Sequence, residues 1–245
     1  MSKKACIVIP CYNEEKRLDI GSFQDFLKRG TDIDFCFVND GSRDNTARML
    51  SLFVREAGER LLFVDNPCNC GKAEAVRLGM ERVLELNKYE LVGFMDADLA
   101  TPLSEIARLV RIFDADESAQ VVIGSRIERM GVVIERKLFR HYSGRLFATA
   151  ISVLFHLNAY DTQCGAKVFR SHIAGTIFKN AFISRWLFDV ELLLRVRNGN
   201  PAYNLIVKEI PLNVWVEQGN SKIRFSHLLK MPWELCRIYR KYKVL

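Results

Sequence analysis

The sequence has little that would loosen or interrupt a chain. Of its 245 residues only 14 are Gly and 6 are Pro, and no repeat or low-complexity segment occurs. That excludes a collagen-like, linker-like or predominantly disordered protein. Long apolar runs are also missing. The longest stretch without a formal charge, Leu146–Tyr160, falls short of the ~20 residues a spanning helix needs, so the chain is expected to lie on a bilayer at most. The N-terminal Met-Ser-Lys-Lys leads straight into an apolar run, and no signal peptide is expected. The cysteines do not suggest a disulfide framework: there are seven (Cys6, Cys11, Cys36, Cys68, Cys70, Cys164 and Cys236), an odd number scattered mostly through apolar runs. A reducing, cytoplasmic compartment fits them better. Cys68 and Cys70 have no second Cys/His pair at zinc-ligand spacing and read as loop cysteines. Finally, acid is in deficit. Lys plus Arg number 36 against 29 Asp plus Glu, for a net charge of +7, which suits phosphate-rich partners such as nucleotides, nucleic acid or anionic lipid.

What is present is 49% hydrophobic and 27% charged, enough for one large α/β domain. Short, continuously apolar runs at Ala5–Pro10, Asp34–Asp40, Arg60–Asn66, Leu91–Asp98 and Gln120–Arg126 read as strands covered on both faces. Helical spacing lies between them. Thr101-Pro102 reads as an N-cap and first-turn pair ahead of Ile106, Leu109, Val110 and Phe113, and Val76, Met80, Val83 and Leu84, like Leu50, Val54 and Ala57, repeat the pattern. Strand and helix alternating up to about residue 126 imply a mostly parallel, Rossmann-like sheet flanked by helices. A basic stretch, the apolar Leu146–Leu157, a β-rich Asn204–Glu217 and a basic amphipathic tail follow. The expected organisation is a catalytic domain over 1–218 and an amphipathic helical elaboration over 219–245.

Polar residues gather where strands end, which is where open α/β sheets bind ligands. Strand one runs into Pro10-Cys11-Tyr12-Asn13-Glu14, strand two into Asn39-Asp40-Gly41-Ser42, and the fourth run into Asp96-Ala97-Asp98. Turn chemistry alone explains one such cluster, but several at one sheet edge are harder to dismiss. Asp96 and Asp98 put two carboxylates at a strand end, the hard oxygen donors that Mg2+ or Mn2+ takes alongside substrate phosphates. A helix cap and a solvated turn acid would look the same in sequence. Gly71-Lys72 opens a helix and suits an anion, although it is not a Walker A loop, and a solvated lysine after a turn is the plainer account.

Together these stretches resemble family 2 glycosyltransferases of the GT-A fold. PCYNEE, FVNDGSRDNT, NCGKAEAVRLGM and FMDADLATP match that family's motifs in order. GSRI, YDTQCGAKVFR (Tyr160–Arg170) and LFDVELL (Leu187–Leu193) resemble its polyprenyl- or dolichyl-phosphate branch. The resemblance implies that Pro10, Tyr12, Asn13, Glu14 and Asp40 hold the nucleoside, with Asp40 accepting from the base. It implies that Gly71 and Lys72 lie near the sugar diphosphate and Asp96 near ribose and metal, with Asp98 the principal metal ligand. Gln163, Gly165 and Lys167 would sit near the sugar and the acceptor phosphate. The sequence departs from the pattern in places. Asn39 and Ala100 stand where many relatives carry Asp and Gln, and no Gln-x-x-Arg-Trp occurs, since Phe182 precedes Arg185-Trp186. That argues against the processive synthases.

The family transfers sugar with inversion. A hydroxyl acceptor needs a carboxylate base, for which Asp161 and Glu191 are the candidates, each of which could instead hold an Arg or the donor sugar; Asp189 is the other spare acid. A phosphate acceptor is anionic already and needs cations. Residues 126–145 offer Arg126, Arg136 and Arg140, with Ser143 nearby, and arginine's planar fork suits phosphate. A solvated basic loop is the plain alternative. DTQCGAK and FDVELL are more like glucosyl than mannosyl relatives, so UDP-glucose is the expected donor. Leu146–Leu157 reads as core or as an interfacial helix, and the tail Lys222–Leu245, with seven basic residues and one acid, Glu234, as a packed helix or a membrane-surface one. The expected protein is peripheral on the cytoplasmic face of a membrane, with room for a separate transmembrane partner. Four other readings compete: transfer to a sugar hydroxyl in polysaccharide assembly; transfer to a lipid phosphate from GDP-mannose; a nucleotidyltransferase, whose glycine-rich loop after strand one is missing; and a nucleic-acid binder, for which no motif is present.

Overall fold

The structure, a computed structural model, describes residues 3–128, 132–135, 151–218 and 225–242. In its first half, β1 (Ala5–Cys11), β2 (Ile33–Asp40), β3 (Leu61–Asn66) and β4 (Leu91–Phe94) alternate with α1 (Ile20–Lys28), α2 (Thr46–Ala57) and α3 (Lys72–Glu85). Then come α4 (Leu103–Ala115), β5 (Val121–Ser125), β6 (Val133–Glu135), β7 (Lys167–Arg170), α5 (Ser171–Ile177) and α6 (Phe188–Gly199). The chain finishes with α7 (Tyr203–Ile206), β8 (Val207–Pro211), β9 (Val214–Val216) and α8 (Phe225–Tyr242).

Seven strands form one sheet in the order β3-β2-β1-β4-β7-β5-β8, and β6 pairs with β9 in a second. Every pairing in the large sheet is parallel except those of β7, which runs antiparallel to both β4 and β5. β7 is the one strand of the large sheet that sequence periodicity did not single out. Its register sets Lys167 opposite Phe94, so the segment just before β7 arrives beside the carboxyl end of β4.

The continuous apolar runs have the physical cause expected of them. Ala5, Ile7 and Ile9 of β1 join Phe35 and Phe37 of β2 in a core with α1, α2 and α4. Cys6, Val8, Cys36 and Val38 face the other way, into a core with α3 and α6. Each large apolar side chain buried this way contributes roughly 1.5–3 kcal/mol, so both helical layers are held on the sheet. At the end of the sheet away from the site, buried Asp34 is satisfied by Arg60 at 3.0 Å and by the Tyr89 hydroxyl at 3.0 Å.

Three boundaries differ from expectation. β4 stops at Phe94, so Asp96 and Asp98 lie in the turn after the strand. Helix α4 starts at Leu103 with extended Pro102 as its N-cap and no side-chain cap, one residue later than Thr101-Pro102 suggested. The segment expected to be β-rich from Asn204 begins inside helix α7. Of the apolar Leu146–Leu157, residues 146–150 lie outside the described residues. Residues 151–155 are helical, with Ile151 and Phe155 buried while Val153 and Leu154 are exposed. Helix α8 packs on the domain through buried Ile238, and its Tyr242 hydroxyl donates to Glu191 at 2.8 Å.

Candidate active site

The carboxyl ends of β1, β2 and β4 and the start of α3 converge as parallel topology requires. After β1, Asn13 takes a left-handed conformation (φ 50°). Its amide donates to Ser42 Oγ at 3.0 Å and its Oδ1 accepts from Arg43 N at 2.8 Å. Glu14 N donates to Thr46 Oγ1 at 2.8 Å. Pro10 and Tyr12 are partly exposed on the same edge. The loops after β1 and β2 are therefore one hydrogen-bonded unit.

Asp40 does something the sequence did not reveal. Its Oδ1 accepts from Cys70 N at 2.9 Å and Asn66 Nδ2 at 3.1 Å, and its Oδ2 from Gly71 N at 2.8 Å. In this structure the carboxylate clamps the turn that begins α3. Gly71 has φ 92°, a conformation that disfavours any side chain, and that turn delivers Lys72.

Lys72 is not a solvated lysine. Its ammonium forms an ion pair with Asp96 Oδ1 and lies 5.9 Å from the Phe188 ring centroid. Burial alone would lower its pKa, but Asp96, Asp189 and Asp98 outweigh this and raise it. Asp98 accepts from Arg17 Nη2 at 3.1 Å and from Ala100 N at 3.1 Å. Burial first, and the neighbouring Asp96 charge second, push its carboxyl above the ordinary value. A neighbouring carboxylate that raises the proton affinity of Asp98, with cations already drawn to both acids, makes a site that a divalent cation would relieve. Among the described residues no group of three or more His, Cys, Asp or Glu is placed to hold a metal. The donor set thus fits an ion completed by substrate phosphates, the usual arrangement for Mg2+.

The Asp161–Lys167 segment closes the other side. A Cβ on Gly165 would stand 2.6 Å from the Asp96 carboxyl carbon, so a side chain there would force the Asp96 carboxylate to move. Gln163 is partly exposed there. Arg126 embraces Asp161: its Nε donates to Oδ2 at 2.6 Å, its Nη2 to Oδ1 at 2.8 Å and its backbone amide to Oδ2 at 3.0 Å. Its guanidinium also sits 5.4 Å from the Trp215 ring centroid. Burial opposes the charge, but Asp161 more than restores it, and the Arg126 pKa rises.

Several expectations are thereby corrected or bounded. Lys167 is fully buried, donating to Asp189 Oδ1 at 2.6 Å and to the Cys164 carbonyl at 2.6 Å. Its ammonium is thus fully engaged within the protein. Glu191 is also fully buried, accepting from Ile183 N at 2.7 Å, Arg195 Nη2 at 2.9 Å and the Tyr242 hydroxyl, so it serves as an anchor for α8. Asp161 is occupied with Arg126. Arg136, Arg140 and Ser143 lie outside the described residues. Arg17 went unmarked in the sequence; only the fold brings it to Asp98.

A mostly parallel sheet with two carboxylates, a lysine and an arginine at its carboxyl edge defines a protein built to manage a polyanionic substrate, in a fold shared with nucleotide-sugar transferases. The chain belongs to glycosyl transferase family 2, whose model matches residues 6–185. It is 30% identical to a dolichyl-phosphate beta-glucosyltransferase of Trichomonas vaginalis, over 94% of this chain and 69% of that protein. It is 31% identical to the dolichyl-phosphate beta-glucosyltransferase of Saccharomyces cerevisiae, over 96% of this chain and 74% of that protein. In fold it is similar to the Mycobacterium tuberculosis glucosyl-3-phosphoglycerate synthase solved with Mn2+, UDP-glucose and phosphoglyceric acid, with TM-score 0.69 at 16% identity, covering 99% of this chain and 81% of that one. It is also similar to a Pyrobaculum calidifontis mannosyltransferase in complex with GDP-mannose and Mn2+, with TM-score 0.63 at 17% identity, covering 98% and 64%.

Proposed function

We propose that this chain transfers glucose from UDP-glucose to the phosphate of a dolichyl or related polyprenyl lipid, with Mg2+ or Mn2+ held by Asp96 and Asp98. The observation that carries the reading is the Asp96–Asp98 pair facing Lys72 and Arg17 at the carboxyl edge of the sheet. The names of its relatives supply the sugar and the acceptor class. Bound there, the ion would supply Lewis-acid stabilisation of the departing diphosphate. Lys72, relieved of Asp96, and Arg17, relieved of Asp98 though still 3.7 Å from Glu14, are placed to receive phosphate oxygens. The loops after β1 and β2, from Pro10 to Glu14 and around Asp40, form the nucleoside wall. Gly165 lets the Gln163 segment approach the sugar.

The state of the other acids supports an anionic acceptor. Asp161, Asp189 and Glu191 each already engage a cation, Arg126, Lys167 and Arg195 respectively. A hydroxyl acceptor would need one of them as a base, whereas a phosphate does not.

Access to lipid is proposed through neighbouring exposed apolar residues. No helix among the described residues is long and apolar enough to cross a membrane. Val153, Leu154, Leu205, Trp233 and Tyr239 are all exposed. Tyr239 meets Phe155 at 6.2 Å between ring centroids, and Asn158 donates to Asn204 at 3.2 Å, so these segments adjoin. With Arg237, Arg240 and Lys241 in the same helix, the composition fits binding to an anionic, cytoplasm-facing surface.

The test is a panel of UDP- and GDP-sugars with Mn2+ or Mg2+, with and without a short polyprenyl phosphate. Transfer of glucose to the lipid phosphate is expected, falling by at least about a hundredfold in Asp98→Ala. Full activity in Asp98→Ala, or transfer only to free sugars, would overturn the reading.

A further inference from the structure

Around the cleft nearly every charge is spoken for. Lys72 pairs with Asp96, Arg17 with Asp98, Arg126 with Asp161 and Lys167 with Asp189. One cation differs. Arg185 is exposed, and its side chain lies along Gly71: a Cβ built there would stand 3.4 Å from Arg185 Cδ and 3.6 Å from Cγ. Among the described residues it forms no hydrogen bond, ion pair or ring contact. It therefore stands beside the turn that presents Lys72, with its charge uncommitted.

The backbone that carries it is held firmly. Ser184 is buried, and its Oγ accepts from Leu187 N at 2.7 Å and Trp186 N at 3.2 Å. The same hydroxyl donates to Glu234 of α8. Arg185 sits inside this pinned turn, so its Cα is fixed relative to Gly71 while its guanidinium remains free.

Charge balance says what such a group is for. A divalent cation held by Asp96 and Asp98 would cancel their charge and free Lys72 from Asp96 and Arg17 from Asp98, leaving Arg17 only its 3.7 Å pair with Glu14. Those two match the two negative charges of a nucleotide-sugar diphosphate. Transfer to a second phosphate then brings further negative charge into the same cleft. Arg126 cannot answer it without abandoning Asp161, which it grips through three donors. We propose that Arg185 is a phosphate-binding residue of the transfer site, completing the cationic wall begun by Gly71 and Lys72. The proposal rests on the function given above, and its ligand is a phosphate group, of either the donor diphosphate or the acceptor.

Two measurements separate those sources. Calorimetric titration of UDP with Mn2+ reads the donor side without turnover, and the KM for a short polyprenyl phosphate reads the acceptor side. Loss of a charge-assisted hydrogen bond predicts a change of about tenfold to a hundredfold in one of them for Arg185→Ala, partly recovered in Arg185→Lys. Weakened UDP binding assigns Arg185 to the donor; unchanged UDP binding with a raised acceptor KM assigns it to the acceptor. UDP affinity and acceptor KM both within twofold of wild type would overturn the proposal. Arg185→Gln, of similar length, replaces the alanine variant if the latter's urea midpoint shifts. Wild-type protein that binds UDP yet glucosylates no lipid phosphate would overturn the proposed function instead, leaving the UDP titration to decide Arg185.

Discussion

Lys167 and Asp189 show how this site places charge where water cannot reach. Taking an ammonium and a carboxylate out of water is costly unless each is paired and hydrogen-bonded, and here the ammonium has both Asp189 and the Cys164 carbonyl. Asp189 is also close enough to Lys72 to help raise its pKa, after Asp96. Lys167→Met should lower stability by about 3–5 kcal/mol, because it leaves Asp189 charged and unpaired. The double variant Lys167→Met/Asp189→Leu should recover much of that loss. Urea denaturation of both proteins checks the pair, and equal stability of the single and double variants would show that Asp189 finds another partner. Gly165 makes the complementary point: its missing side chain leaves room for the Asp96 carboxylate, a proposed metal ligand.

At the level of elements, antiparallel β7 is the decisive insertion. It wedges between β4 and β5, and by reversing direction it returns the chain to the carboxyl edge, where Asp161–Lys167 can meet Asp96. The opposite edge of this region is tied by a surface contact at the end of α4. There Asp116 accepts from Ser118 Oγ at 2.6 Å and pairs with Lys208 of β8 at 2.9 Å. The Lys208 bond first, and Ser118 second, hold the Asp116 carboxyl down at about 2. A carboxyl whose folded value lies below its unfolded one adds stability above the unfolded value and loses it as pH falls through the folded one. Urea midpoints of wild type and Asp116→Asn should therefore differ slightly above about pH 4 and converge toward pH 2, with added salt shrinking the gap because the pair is exposed.

The whole molecule has one sheet edge devoted to polyanion chemistry and a separate set of segments that expose apolar and basic groups. Helix α8 links them. Its Glu234 pins the Ser184 turn beside the cleft and its Tyr242 reaches Glu191, while Trp233 and Tyr239 stay exposed. Binding to anionic vesicles should be measurable by sedimentation and should weaken as salt rises. Leu154→Asp/Trp233→Asp should reduce it severalfold while leaving UDP binding unchanged. Undiminished vesicle binding in that variant would remove these residues from the lipid-facing surface.

The sequence by itself determined the alternation of strands and helices, the two-faced burial of the sheet, and the acid pair after the fourth run. Those follow from local periodicity and from short motifs such as PCYNEE and FMDAD, whose residues are adjacent in the chain. What only the tertiary structure decided were the partners of each charge. Arg17 reaches Asp98 across 81 positions and Arg126 reaches Asp161 across 35. Lys167 and Glu191, legible as candidate active-site groups, are buried and paired with Asp189 and Arg195, and Asp40 accepts from the turn before Lys72. Periodicity reports which face of an element is apolar. It carries no information on which distant side chain will neutralise a carboxylate, because that depends on strand order, and strand order here is set by an antiparallel strand that periodicity does not mark.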